Sequence, residues 1–513
     1  MGSALISAPV GDGALYAGFD CSTQGLSLAV IRARSGHLDV VFRDSLNFDD
    51  DLPGFQTRHG VLASPAPGVV HAPPLMWASA LERMLARLAA QIDRPSLRAI
   101  SGSAQQHGSV YCGSSPGELT RPTAPTWMDR STAADCEAIE SALGGAQALA
   151  QLTGSRAFPR FTGPQIRKFA RESPAAYART KRIHLVSSYL ASLLIGGHAP
   201  IDHADGSGMN LMDLRKRAWS AAALDATAPR LGSKLPQLVP PSTIVGTLAN
   251  DWQSQFQLPP ARIVAWSGDN PCSLVGCGAV TEGQLVVSLG TSDTVFGPMQ
   301  EPRVSLDGIG HVFASPTGEY MGITVFLNGS LARERIRDRY SLDWTGFSAA
   351  LAATEAGNRG TMMLPWFEPE ITPLAPRGAV VTEALDDAAP ATSVRALVEG
   401  QMMALARHSA WMGVTPTAIL ATGGAAANDE VLRIMADVFG AEVHRFESTG
   451  SAALGAAMRA WQADAGLSWS DVARAAADPI DDTRIVPDPR NVRLYRELRE
   501  RYTALERAAL ARR

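Results

Sequence analysis

The sequence predicts a duplicated α/β fold, and three observations carry that expectation. The first is a turn of Gly, Asp, Ser and Thr that ends an apolar strand, Tyr16-Ala17-Gly18-Phe19-Asp20-Cys21-Ser22-Thr23-Gln24-Gly25. The second is a turn of the same kind about half the chain later, Leu285-Val286-Val287-Ser288-Leu289-Gly290-Thr291-Ser292-Asp293-Thr294. After each turn apolar residues resume at once (Leu26 to Ile31, then Val295-Phe296), as they do when the turn is the tip of a β-hairpin. Small side chains there let backbone N–H groups and hydroxyls converge on an anion. The third observation is that a helix and then a strand come after each hairpin in the same order. A duplicated domain that grips a polyphosphate from both sides points to an ATP-using enzyme.

In the first half, residues 15–19, 26–32 and 38–43 alternate or run apolar with turn residues between them, a three-stranded meander. Leu75, Met76, Ser79, Glu82, Met84, Leu85 and Leu88 then keep a broadly 3.6-residue face, which predicts a helix, and Leu97 to Ser101 reads as the next strand. In the second half the helical stretch Val394 to His408 leads to the strand Ala418 to Ala421. The strand Arg262 to Trp266 and the turn Ser267-Gly268-Asp269-Asn270-Pro271 come just before the second phosphate turn, where a domain junction falls. The expected domains are therefore residues 1–279 and 280–513, with a site between them. Residues 62–74, 366–392 and 490–513 read as loops and a solvated terminal helix.

A length of 513 residues exceeds one ordinary core. Lys plus Arg total 46 against 50 Asp plus Glu, so the net charge of −4 gives no general attraction to nucleic acid. The start lacks the basic and apolar regions of a signal peptide, and the longest apolar run, Leu185 to Ile195, is too short to span a bilayer. Five cysteines without a Cys-x-x-Cys pair disfavour a disulfide framework and a zinc site. The expectation is a cytoplasmic protein, monomer or homodimer, with no nucleic-acid or membrane partner.

Several residues carry candidate chemistry, each beside a plainer reading. Asp20 ends a strand where a carboxylate can hold Mg²⁺ through water, yet Asp-x-Ser-Thr is also a common turn. Asp269 can accept the proton of a substrate hydroxyl, or it caps the helix that follows. In Thr422-Gly423-Gly424-Ala425-Ala426-Ala427-Asn428, glycines let backbone approach a base or ribose and Asn428 can hydrogen-bond it; a tight strand-to-helix turn explains one Gly equally well. Gln105-Gln106-His107-Gly108 and Trp127-Met128-Asp129 offer amide, imidazole and carboxylate groups to a polyhydroxylated ligand, or are satisfied core groups. Cys272 and Cys277 read as ordinary helix packing.

These residues resemble the FGGY carbohydrate kinase family. The matching stretches are Asp20-Cys21-Ser22-Thr23-Gln24, residues 47–60, Gln105-Gln106-His107-Gly108-Ser109-Val110-Tyr111, Trp127-Met128-Asp129, residues 144–149, 152–157 and 201–211, Gly268-Asp269-Asn270-Pro271, residues 287–294, Asn328-Gly329-Ser330-Leu331 and residues 421–428. The resemblance implies two actin-like, ribonuclease H-like domains with a central inter-domain cleft, ATP and Mg²⁺ as co-substrate and cofactor, and phosphorylation of D-xylulose at its terminal hydroxyl to D-xylulose 5-phosphate. It places Asp269 as catalytic base and Asp20 as the magnesium-linked aspartate. It places Thr23 and Thr291 at the phosphates, and His107, Arg160, Asp269 and Asn270 at the sugar. Trp344, Gly423, Gly424 and Asn428 match positions around adenosine, with a core position as the other reading of Trp344.

The mechanism so implied is in-line phosphoryl transfer by positioning and charge neutralisation. A carboxylate of ordinary pKa near ~4 is a weak base, so Asp269 is expected to act late. Kinases for another pentulose, a polyol or a sugar acid are the alternatives within the class. A nucleotide-switched assembly or chaperone protein of the actin superfamily is the alternative outside it.

Overall fold

The computed structural model describes residues 13–34, 36–305, 307–385, 389–446, 450–476 and 484–512. The chain forms two compact units. One comprises Met1–Gly278, Phe313–Gly318 and Gly450–Asp478; the other comprises Ala279–Val312, Glu319–Thr449 and Pro479–Arg513.

The first unit is built on a seven-stranded sheet. Along it lie Ile244–Thr247, Arg262–Val264, Leu97–Ala104, Ala14–Cys21, Gly25–Arg34 and His37–Asn47, with Ser267–Gly268 also paired to Leu97–Ala104. Ala14–Cys21 is antiparallel to Gly25–Arg34 and parallel to Leu97–Ala104, which sets Asp20 beside Ser103. The parallel step needs a crossover, and the helix Pro74–Gln91 supplies it. Its buried Met76, Trp77, Ala80, Leu81, Met84, Leu85 and Leu88 recur every three or four residues and join the core cluster of Phe19, Leu28 and Ile100.

A helix from far along the chain, Ser451–Ala465, also belongs to this unit. Its Gly455 lies so close to the helix Asp269–Gly276 that an added Cβ would come 1.9 Å from the Cys272 carbonyl oxygen. Only glycine permits that spacing. Cys272 packs there with Ala452 and Ala456, the plain packing role expected of it. From the same helix Arg459, 1 % exposed, pairs with buried Asp202 at 3.1 Å and donates to the Pro241 carbonyl at 2.9 Å.

The second unit repeats the plan. Its sheet runs in the order Gly310–Ala314, of which Phe313 and Ala314 count with the first unit, then Tyr320–Phe326, Asp293–Met299, Gln284–Leu289, Ala418–Thr422 and Glu442–Arg445. Gln284–Leu289 is antiparallel to Asp293–Met299 and parallel to Ala418–Thr422, the same relations Ala14–Cys21 has with its neighbours. The helix Pro390–Ser409 is buried around nearly its whole circumference. The helix Pro489–Ala511, expected to be solvated, instead docks one face through Tyr495, Leu498, Tyr502, Glu506 and Ala509. Glu506 accepts hydrogen bonds from Arg407 and His408, each at 2.8 Å. Charge density along an Arg-rich helix hid this stripe of large residues.

All five cysteines are buried and unbridged. Among the described residues no helix is long and apolar enough to cross a membrane.

Candidate active site

In the first unit the chemistry collects at strand ends. Asp20 accepts a hydrogen bond from the Ser103 hydroxyl at 2.8 Å; burial pushes its carboxyl up and that hydroxyl draws it back. Asp269 is the first residue of the helix Asp269–Gly276, whose cap position is Gly268. The capping reading therefore falls away. The Asp269 Oδ1 accepts from the Asn270 backbone N–H at 2.8 Å and from Asn270 Nδ2 at 3.2 Å, and Nδ2 also donates to Gln106 Oε1 at 2.9 Å. Burial and the nearby Asp20 charge push Asp269 up to about 7, against opposition from backbone N–H groups. This corrects the expectation of an ordinary carboxylate: the group is a competent base near neutral pH.

Deeper lie two acids to which sequence reasoning gave no role. Asp205 accepts from the Ser187 hydroxyl, and burial with Asp202 and Asp269 nearby raises it well above the usual range. Asp202 is raised by burial and held back by Arg459. No local signal marks them, because their burial comes from segments distant in sequence.

His107 is buried with a left-handed φ of 71°, a strained conformation for a residue with a side chain. Its ring stacks on Phe161 at 4.3 Å, and Nδ1 donates to the Gly208 carbonyl at 2.9 Å. Burial and the Arg160 charge lower its pKa to about 3, so the ring is neutral with Nε2 as an acceptor. The Arg160 guanidinium lies over Phe158 and Phe161 at 5.0 and 5.4 Å. Burial and Arg130 lower it to about 10, so it stays charged at neutral pH.

Trp127 and Asp129 part company. The Trp127 indole donates to the Thr23 hydroxyl at 2.8 Å and so belongs with the first phosphate turn. Asp129 is fully buried; against the cost of burial, bonds from His71, Ser131 and Gln165 hold its carboxyl well below the usual range. It organises the loop rather than facing a ligand.

The second unit contains a cavity of about 760 Å³. Thr291, Trp344, Gly424 and Asn428 all line it, with Arg333, Glu334 and Ser348. Trp344 is 48 % exposed, which removes the core reading. Gly423 does not line the cavity but shapes the turn: its φ is 88°, and a Cβ there would come 2.5 Å from the Leu289 carbonyl oxygen. Gly424 has open space where a Cβ would stand. Asn428 caps the helix Asp429–Phe439, its oxygen accepting from the Glu430 and Val431 N–H groups, while Nδ2 donates to the Ser348 hydroxyl at 2.8 Å. Its amide thus holds the cavity wall.

Residues 46–276 match the N-terminal domain, and residues 285–463 the C-terminal domain, of the FGGY family of carbohydrate kinases. The chain belongs to this family. It is 42 % identical to the xylulose kinase of Mus musculus, over 96 % of this chain and 94 % of that protein. It is 40 % identical to xylulose kinase 2 of Arabidopsis thaliana, over 87 % of this chain and 86 % of that one. The structure of a xyloylose kinase from Brucella ovis superposes with a TM-score of 0.83 at 23 % identity, covering 97 % of this chain and all of the other. The two-domain α/β fold expected for an FGGY kinase is the fold found.

A kinase of this family implies Mg²⁺, which is usually held by one or two carboxylates plus substrate phosphates. Among the described residues no group of three or more His, Cys, Asp and Glu forms a self-sufficient metal cage. The acidic oxygens of Asp20, beside those of Asp269, are the hard donors such an ion takes, so the residues fit a metal delivered with nucleotide.

Proposed function

We propose that this FGGY kinase transfers the γ-phosphoryl group of ATP to the terminal hydroxyl of D-xylulose, giving D-xylulose 5-phosphate. Similarity to xylulose kinases along nearly the whole chain carries the reading. Asp269, with its pKa near neutrality, takes the proton of the attacking hydroxyl. Asn270, braced by Gln106, holds that carboxylate and reaches the sugar. His107 Nε2 accepts from one sugar hydroxyl and Arg160 donates to another. Thr23 and Thr291, with the backbone of their turns, meet the phosphates. Trp344 offers its ring to the base, Gly424 lets backbone approach adenosine, Gly423 sets that turn, and Asn428 fixes the wall behind it. Asp20 would hold the magnesium ion that comes with the nucleotide, and that ion would supply neutralisation of phosphate charge. Five buried free thiols suit a reducing cytoplasm.

ADP release measured across ketoses, polyols and sugar acids tests this reading. D-xylulose is expected to give the highest kcat/KM. A higher value for another substrate reassigns the sugar, and ATP turnover indifferent to any sugar removes the kinase reading.

A further inference from the structure

The second phosphate turn is held from behind by groups to which no role has yet been given. Asp293 follows the turn and is 1 % exposed. The Arg333 guanidinium, 2 % exposed, meets its two carboxylate oxygens at 2.9 and 3.0 Å in a fork. Arg333 also donates to Gln401 Oε1 at 3.0 Å and to the Gly290 carbonyl at 3.4 Å. Gln401 Nε2 in turn donates to the Asn328 and Gly329 carbonyls at 2.8 and 3.0 Å. The Ser330 N–H gives the Gly290 carbonyl a second bond at 2.8 Å. Gly290 is thus gripped through its carbonyl by two donors on the helix Ser330–Arg339. In a planar trans peptide the carbonyl of one residue and the N–H of the next point opposite ways. Fixing the Gly290 carbonyl therefore fixes the direction of the Thr291 N–H, away from the clamp.

We propose that Arg333, acting through Asp293, Gln401 and the Gly290 carbonyl, is the positioning residue of the second phosphate turn and aims the Thr291 N–H at the terminal phosphates of the nucleotide. This rests on the reading of the cavity as an ATP site. The clamp does not read adenosine; it sets the geometry of the anion end alone. Lysine cannot replace it, since an ammonium lacks the planar fork that spans Asp293, Gln401 and Gly290 together.

Calorimetry with adenosine and with ADP tests the assignment on wild type, Arg333→Lys and Gln401→Met. Gln401 does not line the cavity, so its variant reports positioning without loss of a direct contact. Arg333→Lys is expected to weaken ADP about tenfold or more while adenosine stays within about twofold. Gln401→Met is expected to shift ADP in the same direction by a smaller factor, and it decides the matter should Arg333→Lys fail to fold. The KM for D-xylulose is expected to hold while kcat falls in both. Equal losses for adenosine and ADP overturn the proposal in favour of general collapse of the cavity. A loss in Arg333→Lys with Gln401→Met unchanged overturns it in favour of direct phosphate contact. Unchanged ADP affinity in both variants makes the clamp a stability feature only. Wild-type protein that binds neither ligand overturns the nucleotide reading, and the clamp with it.

Discussion

Asp269 pays in stability for what it supplies in chemistry. Its folded pKa of about 7 lies above the ordinary 3.8, so the folded state binds its proton more tightly than the unfolded chain. A raised acid contributes stability that is complete below the unfolded value and is lost as pH rises through the folded one. The window is about pH 4 to 7. Asp269→Asn is therefore expected to raise the melting temperature at pH 8 and to do much less at pH 5, as thermal scans at both values will read. The same variant is expected to lower kcat by about 10²–10⁴ while sugar affinity stays within about tenfold, because Asn keeps shape and an acceptor but cannot take the proton. Near wild-type kcat would remove Asp269 from the role of base. For the wild type, kcat/KM is expected to rise with pH through about 7 and to fall below it, since that ratio reports the free enzyme.

Among the elements, the contact between the helices Asp269–Gly276 and Ser451–Ala465 gives the sharpest contrast. Gly455→Ala would press a methyl onto the Cys272 backbone, three residues beyond Asp269. It is expected to destabilise by about 1–3 kcal/mol and to lower kcat by moving the helix that begins with the base. Gly424→Ala enters open space and is expected to leave the melting temperature unchanged while weakening nucleotide binding, because its added carbon stands in the cavity. Chemical denaturation beside nucleotide titration separates the two. If the Gly455 variant is as stable as wild type, the close approach is not required. Arg459→Met leaves Asp202 buried without its partner, and such losses cost roughly 3–5 kcal/mol.

At the scale of the whole molecule, candidate sugar groups and the base lie in one unit while the nucleotide cavity lies in the other. Phosphoryl transfer requires both ligands, so binding is expected to be coupled. By linkage the factor by which D-xylulose tightens a non-hydrolysable ATP analogue must equal the factor by which the analogue tightens D-xylulose. Calorimetry of each ligand with and without the other measures both, and independent affinities would refute the coupling. A second expectation follows from the far-travelling helix. A fragment of residues 1–278 lacks Ser451–Ala465 and leaves Tyr16, Ile31 and Ala99 without Ala457, Met458 and Trp461, with which they form one core cluster. It is expected to show no cooperative unfolding by circular dichroism, and a cooperative transition would show that the helix is dispensable.

Much of this protein was legible in one dimension because local chemistry carries it. The two hairpins declare themselves through Gly, Ser and Thr breaking apolar strands, and the helix over residues 75–88 through its period. Thr291, expected at the phosphates, shares one cavity with Trp344, Gly424 and Asn428, expected around adenosine. What the sequence by itself determined is therefore the duplicated plan, the family and most of the polar inventory, since turn propensity and periodicity act over a few residues. Tertiary structure alone decided that Asp269 begins its helix and titrates near neutrality, that Asp129 is structural, that Arg333 stands behind the second turn, and that Ser451–Ala465 completes the first unit. Those outcomes depend on burial, and burial is set by segments up to hundreds of residues apart, as when Arg459 reaches Asp202. Desolvation and Coulomb energy are properties of that assembled surrounding, and no short window of sequence contains it.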